Sequence, residues 1–329
     1  MIKGLVLGKF MPFHAGHIAL IDFALLNTHL LDVLVCVNDH EPIAGPIRYQ
    51  WLKNYYQHNK AVQVHLVEYD KTILSDSSVS SKQAAEKWAN YLKAQFPGIN
   101  LFISSEPYGE WVAERWGINH LCFDIERNKV PVSATAIREY PLKNWAYIPE
   151  IVRPYFVKKI CIAGSESTGK SVLTERLAHY YKTVFVPEMA RDIIDTTAAC
   201  TVADLYTIAT AHAKAIIEKI SFADKLLFVD TDSTITSSYA AFLFGTTINT
   251  DNWVNEANRF DLYLFLETDC PYVQDGTRLN ELDREKLNIS HKKEFARKGI
   301  AYHLIRGDWE QRFNAAVGII NKFFFEKTA

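Results

Sequence analysis

KKICIAGSESTGKSVLTERL, residues 158–177, holds a short apolar run, a loop bounded by glycines and the opening turns of a helix. The run KKICIA is too short for a helix and apolar on successive residues, as a strand buried on both faces would be. Gly164-Ser165-Glu166-Ser167-Thr168-Gly169-Lys170-Ser171 then matches GxxxxGK[ST]. In that loop, backbone N–H groups surround a β-phosphate, the lysine bridges β- and γ-oxygens and the last hydroxyl coordinates Mg²⁺. Strand, loop and helix in this order are the context the pattern requires, so the second half of the chain reads as α/β with a parallel sheet and an ATP site. Lys170 is expected to be catalytic and Ser171 a Mg²⁺ ligand.

The same alternation extends in both directions. Strands are expected at IKGLVLG, DVLVCVN, VQVHLVE, NLFISS and HLCFD before the loop, then at TVFVP, KLLFVD, DLYLFLE and AYHLI after it, with helical periodicity between them. Residues 140–158, YPLKNWAYIPEIVRPYFVK, mix three prolines with aromatics and separate two strand–helix series. The expected division is therefore a first domain at 1–145, a connecting segment at 146–157 and a second domain at 158–329. Aromatics in the connector argue against a solvated tether, so the domains are expected to pack on each other. The polar stretch SDSSVSS, residues 75–81, reads as a mobile loop.

Composition narrows the function classes. A chain of 329 residues exceeds the size of a typical single core, and its 36 basic and 38 acidic side chains leave a net charge of -2. No basic surplus marks a nucleic-acid footprint. Cys36, Cys122, Cys161, Cys200 and Cys270 are single, without metal-type spacing, and read as small core hydrophobes in a reducing cytoplasm. The start, MIKGLVLGKF, is too short for a signal peptide, and no run approaches the ~20 apolar residues that span a bilayer. Small-molecule partners fit this profile; a homo-oligomer is left open.

The first strand ends in Gly8-Lys9-Phe10-Met11-Pro12-Phe13-His14-Ala15-Gly16-His17 and a helix follows. Gly8 permits close backbone approach, the helix start offers unpaired N–H groups, and His14 and His17 aim at the same place. Donors fixed there would stabilise charge developing on a polyphosphate attacked at its α-phosphorus. Lys9 adds a cation beside the cradle. Arg48, Trp51, Trp88, Trp111 and Trp116 are available to bind an acceptor.

In the second half, the strand KLLFV ends in Asp230, followed by Thr231 and Asp232. A carboxylate at that tip belongs near Mg²⁺. Glu188 and Arg191 follow the strand TVFV, giving a base and a cation for an acceptor hydroxyl, with Asp232 as the competing base. Asp275-Gly276-Thr277-Arg278 reads as a lid over ATP carrying a γ-phosphate arginine in Arg278, with Arg284 as the alternative.

GxFxPxHxGH resembles the nucleotidylyltransferase superfamily, including nicotinamide mononucleotide adenylyltransferases. Val132-Ser133-Ala134-Thr135-Ala136-Ile137-Arg138 is similar to that family's second signature. The resemblance implies a Rossmann-like domain in which Gly8, Lys9, Phe10, His14, His17, Ser133, Thr135 and Arg138 bind ATP, with Ser133 also capping a helix. It also favours Trp88 as the ring that stacks on nicotinamide. Joined to a P-loop kinase domain, the pair resembles the NadR-type bifunctional adenylyltransferase and ribosylnicotinamide kinase family. Ser104 to Pro107 (SSEP), KNWAYIPEIVRPYF, GSESTGKSVL, FVDTD and DGTR carry that resemblance over nearly the whole chain.

That family implies phosphorylation of nicotinamide riboside to the mononucleotide (NMN), then adenylyl transfer giving NAD, with ATP and Mg²⁺ at work. It implies Arg48 and Trp88 for NMN, Glu188, Arg191 and Asp232 for the riboside, and Glu166, Ser167 and Thr168 among the kinase ATP contacts. The chain begins within a few residues of its first strand, so the helix-turn-helix repressor of some members is not expected. The loop NDHEPIAGP is short for the family, which keeps open a first domain that only senses NAD or adenylylates a different phosphate.

Overall fold

Each of the ten apolar runs is a strand in the computed structural model, which describes residues 1–70, 72–74, 81–276 and 278–326. Most of the polar stretch read as a loop, residues 75–80, lies outside the described residues, as does Thr277 of the lid. The chain divides into two compact units, Met1–Arg153 and Pro154–Ala329.

The first unit runs β1 (Lys3–Gly8), α1 (Ala15–Asn27), β2 (Leu30–Val37), α2 (Gly45–Tyr55), β3 (Val62–Glu68), α3 (Lys82–Gln95), β4 (Leu101–Ser104), α4 (Tyr108–Trp116), β5 (Asn119–Cys122) and α5 (Ala134–Glu139). Its strands are parallel in the order β3-β2-β1-β4-β5. The chain steps from β1 to β2 and β3, then crosses back to β4 on the other side of β1, so the loops after β1 and β4 part and open a crevice at the strand ends, where α/β sheets take ligands. β2 is buried from Leu31 to Cys36 because helices cover both faces, whereas β3, at the sheet edge, carries the exposed Gln63 and Glu68.

The second unit runs β6 (Lys158–Gly164), α6 (Lys170–Tyr180), β7 (Phe185–Val186), α7 (Val202–Lys219), β8 (Leu226–Asp230), α8 (Ser233–Phe244), α9 (Asn252–Ala257), β9 (Leu262–Leu266), α10 (Glu281–Arg297), β10 (His303–Ile305) and α11 (Trp309–Phe324). The parallel order is β10-β9-β6-β8-β7, with the strand that precedes the glycine loop at the centre. Ile160, Ile162, Phe228, Leu264 and Leu266 fill one layer of the core and are fully buried. Each such side chain contributes about 1.5–3 kcal/mol over its exposed state, and together they hold the carboxyl ends of β6 and β8 in register. Of the cysteines, Cys36, Cys161 and Cys200 are buried, but Cys122 is exposed at the end of the edge strand β5 and Cys270 is partly exposed, so the core reading fails for those two.

Candidate active sites

A cavity of about 380 Å³ opens at the crevice of the first unit and is lined by Gly8, Lys9, Phe10, His14, His17, Ser133, Thr135 and Arg138. His14 is the N-cap of α1 and accepts a hydrogen bond at Nδ1 from Gly16 N–H at 3.0 Å. Nδ1 is thus the acceptor, which leaves the ring proton on Nε2. A Cβ on Gly16 would lie 2.8 Å from His14 Cε1, so any side chain there would push the ring aside. The His14 and His17 rings lie 3.8 Å apart, and Phe10 tilts against His17 at 4.8 Å. Burial, helped by the Arg127 charge, lowers His14 to about 4 and holds His17 well below its ordinary value, so both are neutral donors at pH 7.

The second signature joins them from α5. Ser133 Oγ caps that helix, accepting from Ala136 N–H at 3.1 Å, and Arg138 donates to Thr135 Oγ1 at 3.0 Å and to the carbonyl of Met11. Two motifs more than a hundred residues apart therefore share one wall. Arg127 and Glu106 also line it. Sequence reading missed both; the only signal for Arg127 was a basic residue shortly before the second signature.

The two expected acceptor contacts are elsewhere. Trp88 is 1% exposed, packed edge-on to Tyr69 at 5.1 Å within the core beneath α3 and α4, with no face for a pyridinium ring. Arg48 is 0% exposed. It donates to the carbonyls of Lys9 at 2.6 Å and Cys36 at 3.3 Å and pairs with Glu41, which also meets Lys9 Nζ at 3.3 Å. A buried guanidinium needs such partners; here it braces the turn after β1 from behind.

In the second unit a cavity of about 520 Å³ is lined by Glu166 to Ser171, Glu188, Arg191, Arg278 and the inner face of α7. Gly164 and Gly169 adopt left-handed φ values of 144° and 84°. A Cβ on Gly164 would lie 2.7 Å from the Leu266 carbonyl and one on Gly169 2.1 Å from the Trp309 ring, so neither position admits a side chain. Lys170 Nζ and Thr168 Oγ1 donate to the Ser165 carbonyl at 3.0 and 2.7 Å. Buried Arg312, unremarked in the sequence, holds the Thr168 carbonyl at 2.7 Å from the opposite side.

Ser171 Oγ donates to Asp230 Oδ2 at 2.6 Å, while Asp230 Oδ1 has no hydrogen-bond partner among the described residues. Burial, then the charge of Glu188, raises the Asp230 carboxyl against the pull of Lys170 and Ser171. A hydroxyl touching a buried carboxylate with a spare oxygen is a donor set that suits an oxygen-seeking divalent cation shared with phosphates. Glu188 faces the same cavity.

Asp232, the competing base, does not reach it: 0% exposed, it caps α8 by accepting from Thr234 N and Ile235 N, each at 3.0 Å, and from Tyr263 Oη at 3.1 Å. Arg278 pairs with Asp275 at 2.9 Å on the cavity wall, whereas Arg284 is buried against the carbonyls of Thr268 and Cys270 and serves the fold. Arg191 is exposed, 3.9 Å from Asp275.

Glu166, in the loop itself, ties these parts together. Its Oε1 accepts from Thr197 Oγ1 at 2.9 Å and Tyr239 Oη at 3.2 Å; its Oε2 accepts from Leu279 N at 2.8 Å, next to Arg278. Ser167 Oγ accepts from Val273 N at 2.8 Å, fixing the start of the same segment.

Fold and site together define a two-unit α/β protein, with a P-loop nucleotide site in one unit and a histidine-bearing crevice of nucleotidyltransferase type in the other. Over nearly its whole length the chain is similar to proteins named NadR. The trifunctional NAD biosynthesis/regulator protein NadR of Salmonella typhimurium is 28% identical over 98% of this chain and 84% of its own length, and that of Escherichia coli is 27% identical with the same coverage. Crystal structures of NadR protein in complex with NR, and with NAD and AMP-PNP, superpose with a TM-score of 0.79 at 20% identity, covering 98% of this chain and 96% of each. A family model described as an AAA domain matches residues 159–312, the stretch that holds the glycine loop and β8. Among the described residues no helix is long and apolar enough to cross a membrane.

Proposed function

We propose that the second unit phosphorylates the 5′-hydroxyl of nicotinamide riboside with ATP. The first then transfers the adenylyl group of a second ATP to the phosphate of the resulting mononucleotide, giving NAD and pyrophosphate. Residues 1–145 form the adenylyltransferase domain, 146–157 the connection and 158–329 the kinase, working in the cytoplasm. The observation that carries the reading is the convergence of Lys170, Ser171 and the carboxylate Glu188 on one cavity, with Asp230 bonded to Ser171 behind it.

At the kinase site Lys170 leaves the Ser165 carbonyl for the β- and γ-phosphate oxygens. Ser171 and Asp230 would hold Mg²⁺, which would neutralise phosphate charge when bound. Glu188 accepts the proton of the 5′-hydroxyl as its oxygen bonds to the γ-phosphorus and the bond to the bridging oxygen breaks, releasing ADP. Arg191 and Arg278 face the acceptor and the transferred group. In the first unit, His14 Nε2–H, His17, Lys9 and Arg138 donate to the triphosphate as the mononucleotide's phosphate oxygen attacks the α-phosphorus and pyrophosphate departs. Both reactions are driven by positioning and fixed charge.

Burial of Trp88 and Arg48 favours a second reading for the first unit alone, in which it takes a different phosphate acceptor or only senses NAD. Purified protein given MgATP and nicotinamide riboside, with nucleotides separated over time, tests both. Mononucleotide followed by NAD is expected; mononucleotide alone would move the first unit to the second reading, and no phosphorylated product would sink the kinase assignment.

A further inference from the structure

Leu205, Ile208 and His212 follow one another at spacings of three and four on α7, so they share the helical face that lines the second unit's cavity. The two leading positions are apolar and, with Ile194 and Leu243, form a greasy end suited to a nucleobase. His212 stands at the other end, within electrostatic range of Glu188 and beside the backbone of Asp230. It is 3% exposed; one ring nitrogen lies against the Asp230 backbone, and the other has no hydrogen-bond partner among the described residues.

A buried polar atom left unmet is costly, and on this side chain only the nitrogen beside the Asp230 backbone has a group to meet. Burial disfavours a charged ring, so with its N–H turned to the Asp230 backbone the imidazole keeps one free lone pair. That lone pair complements a hydroxyl, which donates to it. A nucleoside whose 5′-hydroxyl meets Glu188 and whose base lies between Leu205 and Ile208 has only its sugar ring opposite His212. From this placement we infer that His212 binds a secondary hydroxyl of the acceptor's ribose and so makes the site select ribonucleosides over their deoxy counterparts. This rests on the nucleoside-kinase reading of the second unit and deepens it.

The test compares kcat/KM for nicotinamide riboside and its 2′-deoxy and 3′-deoxy analogues in the wild type, His212→Ala and His212→Gln, with thermal melting alongside. In the wild type one deoxy analogue should be disfavoured by about 100-fold or more, as expected where a buried polar group loses its partner. His212→Ala should lose about 10- to 100-fold on the riboside, mainly through KM, and little on that analogue, so the discrimination collapses. His212→Gln, which keeps a donor and an acceptor, should restore part of it, and this variant decides if the alanine variant does not melt cooperatively. Equal loss on all three substrates, or a wild type indifferent to both hydroxyls, overturns the inference. Should the wild type phosphorylate another ribonucleoside instead, the riboside assignment fails while the deoxy forms of that nucleoside still decide the role of His212. No turnover of any nucleoside overturns both.

Discussion

A hydrogen atom at Gly16 is what allows His14 to cap α1 and face the crevice together, since a methyl there would sit 2.8 Å from the ring. Gly16→Ala separates the two consequences by size. Alanine favours a helix over glycine by up to about 1 kcal/mol, which offsets much of the ~1 kcal/mol of a lost cap, so melting should change little, while adenylyl transfer falls about 10- to 100-fold as the ring is displaced. Loss of stability with catalysis intact would refute the capping argument. A second residue-scale test concerns protons. His14 at about 4 and His291 at about 3 lie below their ordinary 6.5 because burial disfavours the charged ring. The unfolded chain then binds more protons between these values, so this stability is complete above pH 6.5 and is lost as pH falls toward 4. His291→Gln retains a partner for Ser238, whose Oγ is 2.9 Å from Nδ1. Denaturant midpoints of the second unit between pH 7 and 5 should therefore fall less steeply in the variant; an unchanged slope would rule out the histidine as the cause.

Among elements, the loop after β6 gains its shape from neighbours as much as from its own glycines. Glu166 receives three hydrogen bonds, from the segment before α7, from α8 and from the residue after Arg278. In Glu166→Ala, Leu279 N–H and two hydroxyls lose their acceptor and Arg278 loses its tether. Steady-state kinetics should give a kinase kcat about 10-fold lower and a raised KM for ATP, with adenylyl transfer unaffected; a kinase with unaltered constants would mean the tether is dispensable. The ten strands could be read from the sequence because parallel sheets bury both faces, which leaves continuous apolar runs with no competing helical period. The glycine loop, the HxGH turn and the second signature were equally legible, since each must lie in local sequence to form. Trp88, Arg48 and Asp232 were misread for one reason: composition names a side chain's chemistry, while its direction is set by tertiary packing. Trp88 sits on an amphipathic helix whose buried face only α4 and β4 define, Arg48 answers Glu41 and the carbonyls of Lys9 and Cys36, and Asp232 is spent on its own helix start. His212 was invisible for the converse reason, a lone histidine in a helix carrying no pattern at all.

For the whole molecule, each unit has its own sheet, core and strand-end cavity, which predicts catalytic independence. On the proposed mechanism Lys170→Ala removes the cation for the transferred phosphate, and it should abolish phosphorylation of the riboside while leaving NAD formation from supplied mononucleotide. His17→Ala should do the reverse, and the mononucleotide should accumulate. Neither variant alone then makes NAD from riboside and ATP. An equal mixture should do so, after a lag in which mononucleotide released by one chain builds up for the other. Following NAD by absorbance after enzymatic reduction would time that lag, which should shorten on addition of mononucleotide. A mixture that stays inactive although each variant retains its own half-reaction would mean the intermediate cannot leave the chain that makes it. Loss of both half-reactions in Lys170→Ala would instead show that the second unit's site supports the first, against the independence argued from two separate cores.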